Sequence, residues 1–192
     1  MQEARTDGPL KLAVIVGSAR AGRFGPTVAD WFVAQARTRA DMDVRVVDVA
    51  DTVLPHSLGA PTAPAHEDAV RDATAALGEA DAFAVITPEY NHSYPGALKN
   101  LIDSHFTQWQ AKPVGFVSYG GMSGGLRAVE HLRAVFAELH ATTVRDTVSL
   151  HDPWEWAEQD AGRDAAAKAV LDQLAWWGTA LRAARLARPY GA

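Results

Sequence analysis

The 192-residue chain contains no cysteine. Disulfides, thiolate catalysis and iron–sulfur clusters held by Cys are therefore excluded. No apolar run approaches the roughly 20 residues needed to cross a bilayer, and the polar start Met1 to Asp7 lacks the apolar centre of a signal peptide. A soluble, cytoplasmic protein is expected. Lysine is scarce, 4 residues against 14 arginines, the net charge is −5, and the basic residues form no cluster. That disfavours nucleic acid, which requires a concentrated cationic footprint. The seven histidines are scattered without an H-x-x-x-H pair, so no metal site is expected. Internal repeats and low-complexity linkers are also missing.

What is present is ordinary globular usage, 48% hydrophobic and 21% charged, which argues against disorder. The length suits one domain, expected over residues 10–188 behind a flexible stretch 1–9. Strand and helix patterns alternate. Leu10–Val16, Val44–Val49, Asp81–Ile86, Pro113–Ser118 and Thr142–Val148 read as strands. Helical periodicity falls between them, at about 26–40, around Val70–Leu77, and at 95–105, 126–139 and 159–186. Residues 52–64 hold three prolines and a glycine and read as an irregular connection. Five successive βα units imply a parallel sheet with helices on both faces. For five strands the expected order is 2-1-3-4-5, the flavodoxin-like three-layer α/β sandwich, whose ligand crevice lies at the carboxyl ends of strands one and three.

The loops after those two strands are the richest in ligand-type groups. Gly17 to Gly25 (GSARAGRFG) leads into a helix, and backbone N–H groups at a helix N-terminus form an anion site. Ser18 and Thr27 add hydroxyls, and Arg20 and Arg23 add charge-assisted donors. The Gly-Lys-Ser/Thr of a Walker loop is missing, because Gly22 is followed by Arg23-Phe24. A G-x-G-x-x-G fingerprint is missing too, although Asp48 stands near where a ribose-binding acid would be. A terminal monophosphate held without metal is the phosphate reading that remains. The bland alternative is a glycine-rich turn with two solvated arginines. After the third strand, Thr87 to Asn100 (TPEYNHSYPGALKN) offers a flat aromatic, an amide and a carboxylate between two prolines, chemistry that suits a planar, hydrogen-bonding ring.

One rival pattern is Gly121-Met-Ser-Gly-Gly125. It fits G-x-S-x-G between a strand and a helix, with Asp146 and His151 following in Ser…Asp…His order. This serine hydrolase reading leaves the Pro-Glu-Tyr-Asn loop unexplained. Glu89 has an alternative as a helix cap or a solvated acid, and Tyr90 and Tyr119 as packing residues. The six tryptophans exceed what one small core readily absorbs, which points to some at a subunit interface, where aromatics are enriched, the alternative being partial burial against the helices.

Taken together, Gly17-Ser-Ala-Arg with Gly25-Pro26, the segment Pro88–Asn100, Lys112-Pro113 and Ser118–Gly121 resemble the NAD(P)H-dependent FMN reductase family, over about Leu12 to Thr142. The resemblance implies a bound FMN reduced by NADPH or NADH, with electrons passing to free flavin, a quinone or another small acceptor. It implies that Ser18, Arg20, Phe24, Gly25, Pro26 and Thr27 wrap the FMN phosphate, with Arg23 in a variable part of that loop. Pro88, Glu89, Tyr90 and Asn91 would border the ring and ribityl chain, and Ser118, Tyr119, Gly120, Gly121 and Ser123 would close the other side. It implies a homodimer or homotetramer. His92 occupies a loose slot of the pattern and is given no role, and the segment His151–Trp156 matches no family motif. No catalytic residue is expected, because the cofactor carries hydride transfer and the protein binds, orients and tunes it. The alternative within the same chemistry is a flavin-binding electron carrier or sensor with little turnover.

Overall fold

The apolar runs pair into one parallel sheet. The computed structural model describes residues 8–156 and 160–191. Its elements are β1 (Leu10–Val16), α1 (Gly25–Arg37), β2 (Met42–Asp48), α2 (Glu67–Glu79), β3 (Ala82–Pro88), α3 (Gly96–Asp103), β4 (Pro113–Gly120), α4 (Leu126–Glu138), β5 (Thr142–His151) and α5 (Ala161–Ala187). Single 3₁₀ turns lie at Pro64–His66 and Pro153–Glu155. The strand order is β2-β1-β3-β4-β5, as the alternation of elements predicts.

Side chains alternate across the sheet, so each central strand feeds two cores. Leu12, Val14 and Val16 of β1 face α1 and α5, where Val28, Phe32, Val170 and Leu174 are buried. Ala13 and Ile15 face α2, α3 and α4, where Leu77, Leu101, Leu132 and Phe136 are buried. All seven residues of β3 are buried, as a strand covered on both faces requires. Each fully buried Leu, Ile or Phe contributes about 1.5–3 kcal/mol relative to exposure.

The boundaries differ from expectation at a few places. β5 runs to His151 because its pairing with β4 continues to Gly120↔His151, past a register shift between Val114 and Phe116. α5 starts at Ala161, where Asp160 accepts a hydrogen bond from the Arg163 N–H at 3.0 Å. Gln159 and residues 1–7 lie outside the described residues. Gly8 and Pro9 give their carbonyls to Arg182, which also joins Arg185 on Asp81, fastening the end of α5 to the amino edge of the sheet. Lys112 donates to the carbonyls of Leu77 and Gly78 at the end of α2. Burial pushes its pKa down to about 8.

The tryptophans divide. Trp109 is fully buried against Phe83 and Phe136, whereas Trp154, Trp176 and Trp177 are exposed.

Candidate functional site

The sheet register brings the ends of β1, β3 and β4 side by side, with Val16 opposite Ile86 and Pro88 opposite Tyr119. The first loop leaves β1 at Gly17, whose N–H donates to the Ile86 carbonyl at 2.8 Å. A Cβ there would lie 2.9 Å from the Leu98 side chain and 3.0 Å from that carbonyl, so the backbone approach requires glycine. The loop tightens where Arg23 N–H meets the Arg20 carbonyl at 3.1 Å, with Gly22 at φ 65°. α1 then begins at Gly25 with Pro26 in its first turn and no side-chain cap from Phe24. Its first N–H groups are left for a ligand or solvent, and the positive end of the helix dipole stands behind them. Thr27 and Arg20 are exposed here, and among the described residues the Arg20 side chain has no hydrogen-bond partner.

Arg23 is paired within the protein. Its guanidinium forms a two-pronged pair with Asp48 at 2.5 and 2.7 Å and also donates to the Ser18 carbonyl at 2.6 Å. Asp48, at the end of β2, also accepts from the Ala50 N–H. The acid in the ribose position is therefore engaged within the protein, and Arg23 holds the β1–α1 loop against β2. Ser18 is also redirected inward. It is fully buried and accepts from the Tyr119 hydroxyl at 3.2 Å, beneath Gly25.

The second loop is a two-residue hairpin. Tyr90 and Ser93 exchange backbone hydrogen bonds at 2.8 and 3.0 Å. Asn91 and His92 have φ of 49° and 68°, the signature of a type I′ turn, which asparagine tolerates well. Asn91 and His92 are exposed at its tip and Tyr90 is half-buried, while Pro88 is buried at the end of β3.

Glu89 is engaged by the loop after β4. Its carboxylate accepts from the Ser123 hydroxyl at 2.6 Å, the Arg127 N–H at 3.1 Å and the Arg127 guanidinium at 2.9 Å. Burial raises its pKa, but these donors outweigh that and hold it below the usual carboxylate range. Glu89 thus caps α4 from the neighbouring strand and ties the second loop to the third.

The third loop follows β4. Ser118 is buried and donates to the Gly124 carbonyl at 2.8 Å. Tyr119 is buried under the first loop, edge-on to Phe24 with ring centroids 6.2 Å apart, and burial pushes its pKa up to about 12. Gly120 and Gly121 remain half-exposed. Gly125 sits at φ 84°, where a Cβ would come within 2.7 Å of Ser118 Cβ and 2.8 Å of Tyr119 N.

Of the expected residues, Arg20, Gly25, Pro26 and Thr27 surround the open helix end, while Tyr90, Asn91, Gly120 and Gly121 flank it along the sheet edge. Ser18, Ser118 and Tyr119 lie beneath as packing and hydrogen-bonded support, Phe24 packs between the layers, and Ser123 holds Glu89. This arrangement opposes the hydrolase reading. The Ser123 hydroxyl is given to Glu89, no histidine hydrogen-bonds it among the described residues, and Asp146 is bound to Gln173 and Arg145.

The segment after β5 contributes residues that the motif reading left without a role. The Asp152 N–H donates to the Gly120 carbonyl at 3.0 Å, and Trp156 packs edge-on against Phe24 and Trp31, centroids 5.5 and 5.9 Å apart. Arg163 lies 3.9 Å over the Trp156 ring. The available signal was Pro153-Trp-Glu-Trp156 itself, two tryptophans placed directly after a strand at the ligand edge of the sheet.

The fold is that of a flavodoxin-like α/β protein, with the uncapped start of α1 at the same sheet edge as the Gly120–Gly121 turn. A model of the family described as NADPH-dependent FMN reductase matches residues 10–155, and the chain belongs to that family. It is 38% identical over 121 residues to an NAD(P)H-dependent FMN reductase of Schizosaccharomyces pombe, 60% of each chain. It is 31% identical over 160 residues to an FMN-dependent NADPH-azoreductase of Staphylococcus haemolyticus, 80% of this chain and 82% of that one. The chain thus spans less than two thirds of the length of the first of these relatives. Among solved structures, FerB, a flavoenzyme NAD(P)H:(acceptor) oxidoreductase of Paracoccus denitrificans, shares the fold. Its TM-score is 0.72 at 23% identity, over 88% of this chain and 97% of that one.

Proposed function

We propose that this protein binds FMN along the β1–β3–β4 edge and acts as an NAD(P)H-dependent oxidoreductase. FMN held there would supply hydride chemistry between NADPH or NADH and a small acceptor such as free flavin or a quinone, in ping-pong order. The observation that carries this reading is the uncapped start of α1 with the Arg20 side chain beside it, a cationic, donor-rich seat for a terminal phosphate. The donor set fits the group. Backbone N–H groups, Thr27 and Arg20 answer a phosphate, and the Tyr90–Asn91 hairpin and Gly120–Gly121 turn leave a ring edge-accessible.

The chain's own residues bind and orient. Arg23–Asp48 fixes the phosphate loop, Tyr119–Ser18 supports it from below, and Glu89 fixes the spacing between the two ring-side loops. No side chain is needed as acid, base or nucleophile. Purified protein should be yellow or take up FMN, and should oxidise NAD(P)H with a quinone or free FMN. A colourless protein that fails to bind added FMN refutes the reading. Bound flavin with negligible turnover favours an electron carrier or sensor.

We also infer one cytoplasmic domain over residues 10–188, assembled as a homodimer or homotetramer. Trp176 and Trp177 meet edge-on, centroids 4.9 Å apart, both exposed on α5, and support an apolar face that a second copy would cover. Light scattering on the eluted peak tests this, and a monomer at micromolar concentration would oppose it.

A further inference from the structure

We propose that Trp154 is a specificity-determining residue that selects planar aromatic acceptors by stacking on them at the rim of the site. The inference rests on the reductase reading above and names the acceptor class for the same site.

The argument starts from how the β5–α5 connection is held. At one end the Asp152 N–H is bonded to the Gly120 carbonyl at 3.0 Å. At the other, Trp156 is lodged between Phe24 and Trp31 under the Arg163 guanidinium. Phe24 is the last residue before α1, so the connection runs from the ring-side turn to the phosphate loop. Trp154 lies between these two anchors, and its Cη2 is 3.6 Å from where a Cβ on Gly121 would stand. Yet the residue is 69% exposed, and its indole has no ring partner among the described residues. Met122, at the tip of the same turn, is 91% exposed.

An indole is large, apolar and rigid, with an electron-rich face. Held on an anchored backbone beside the turn that would border a flavin ring, it offers a surface that an incoming ring can cover without ordering a new loop. Stacking of this kind makes no demand for a particular hydrogen-bonding group. It therefore selects a class, planar aromatic and quinonoid rings, rather than a single compound.

The test uses flavin-loaded wild type, Trp154→Ala and Trp154→Phe. One readout is the ratio of kcat/KM for 1,4-naphthoquinone to that for ferricyanide, an acceptor with no ring to stack. The other is the dissociation constant of 2-naphthol on the oxidised protein, measured by equilibrium dialysis. Trp154→Ala should lower the ratio about 3- to 10-fold, through the KM for the quinone, and weaken 2-naphthol by a similar factor. Trp154→Phe should stay within about two-fold on both, since it keeps a stacking ring. An unchanged ratio and unchanged 2-naphthol affinity in Trp154→Ala overturn this inference alone. Equal losses with both acceptors, or a variant that no longer holds flavin, also overturn it, because Trp154 would then support the cofactor rather than choose the acceptor. Failure of the wild type to take up FMN overturns the reductase reading instead, and this inference with it.

Discussion

Replacing the two arginines of the first loop one at a time separates ligand binding from structure. Arg20 is exposed with no side-chain partner among the described residues, so Arg20→Ala removes nothing that holds the fold together. A hydrogen bond to a charged group is worth about 1.5–3 kcal/mol, and each 1.4 kcal/mol is about tenfold in affinity. Exposure and salt screening place Arg20 toward the lower end. The expected loss is about 10- to 30-fold in FMN affinity at 0.1 M salt, with the apoprotein melting temperature within about 2 °C of wild type. Arg23→Ala should behave in the opposite way. Its pair with Asp48 is largely buried, with side chains 17% and 16% exposed, and removal leaves the Asp48 carboxylate, among the described residues, with the Ala50 N–H alone. Losing one partner of such a pair costs about 2–4 kcal/mol, or roughly 4–16 °C in the melting temperature of a domain this size. Flavin fluorescence titration and differential scanning fluorimetry of the apoproteins read both. An Arg20→Ala protein with unchanged FMN affinity would show that the phosphate sits elsewhere. One that melts as early as Arg23→Ala would show that Arg20 is structural.

Three further outcomes follow from the loops. Glu89→Gln should cost about 1–2 kcal/mol at pH 7, through weaker bonds to Ser123 and Arg127. Because the folded pKa of Glu89 is depressed, its contribution is full above the ordinary carboxylate pKa and is lost as pH falls through the lower, folded value. Urea midpoints at pH 7 and 3.5 should therefore differ less between variant and wild type at the acidic end. Tyr119→Phe removes the donor to buried Ser18 and should cost about 0.5–1.5 kcal/mol below pH 10. With the Tyr119 pKa raised to about 12, wild type should lose stability between pH 10 and 12 that the variant does not lose, which urea denaturation at pH 8 and 11 would detect. Gly125→Ala combines a left-handed backbone with the approach to Ser118 and Tyr119, and should destabilise by about 2–4 kcal/mol. A melting temperature equal to wild type would contradict the geometry of the third loop.

Much of this protein was legible in its sequence. The five β-branched or apolar runs, the helical stripes between them and the glycine-rich and Pro-Glu-Tyr-Asn loops predict the strand order and place the candidate site at one sheet edge. These are local signals. Periodicity records which residues face a core, and Gly17 and Gly25 mark close approaches of the backbone. What the sequence could not decide is which side chains meet. Arg23 turns to Asp48 because the register of β1 and β2 sets Val16 opposite Asp48. Glu89 caps α4 rather than standing free because β3 and β4 end together, and Trp156 reaches Phe24 only because α1 and α5 share one face of the sheet. A charged or aromatic side chain finds its lowest free energy with whichever partner the tertiary register brings within reach. Chain composition and spacing thus determined the fold and the sheet edge at which the candidate loops gather, while the three-dimensional packing decided which partners Ser18, Arg23, Glu89 and Tyr119 find within the protein.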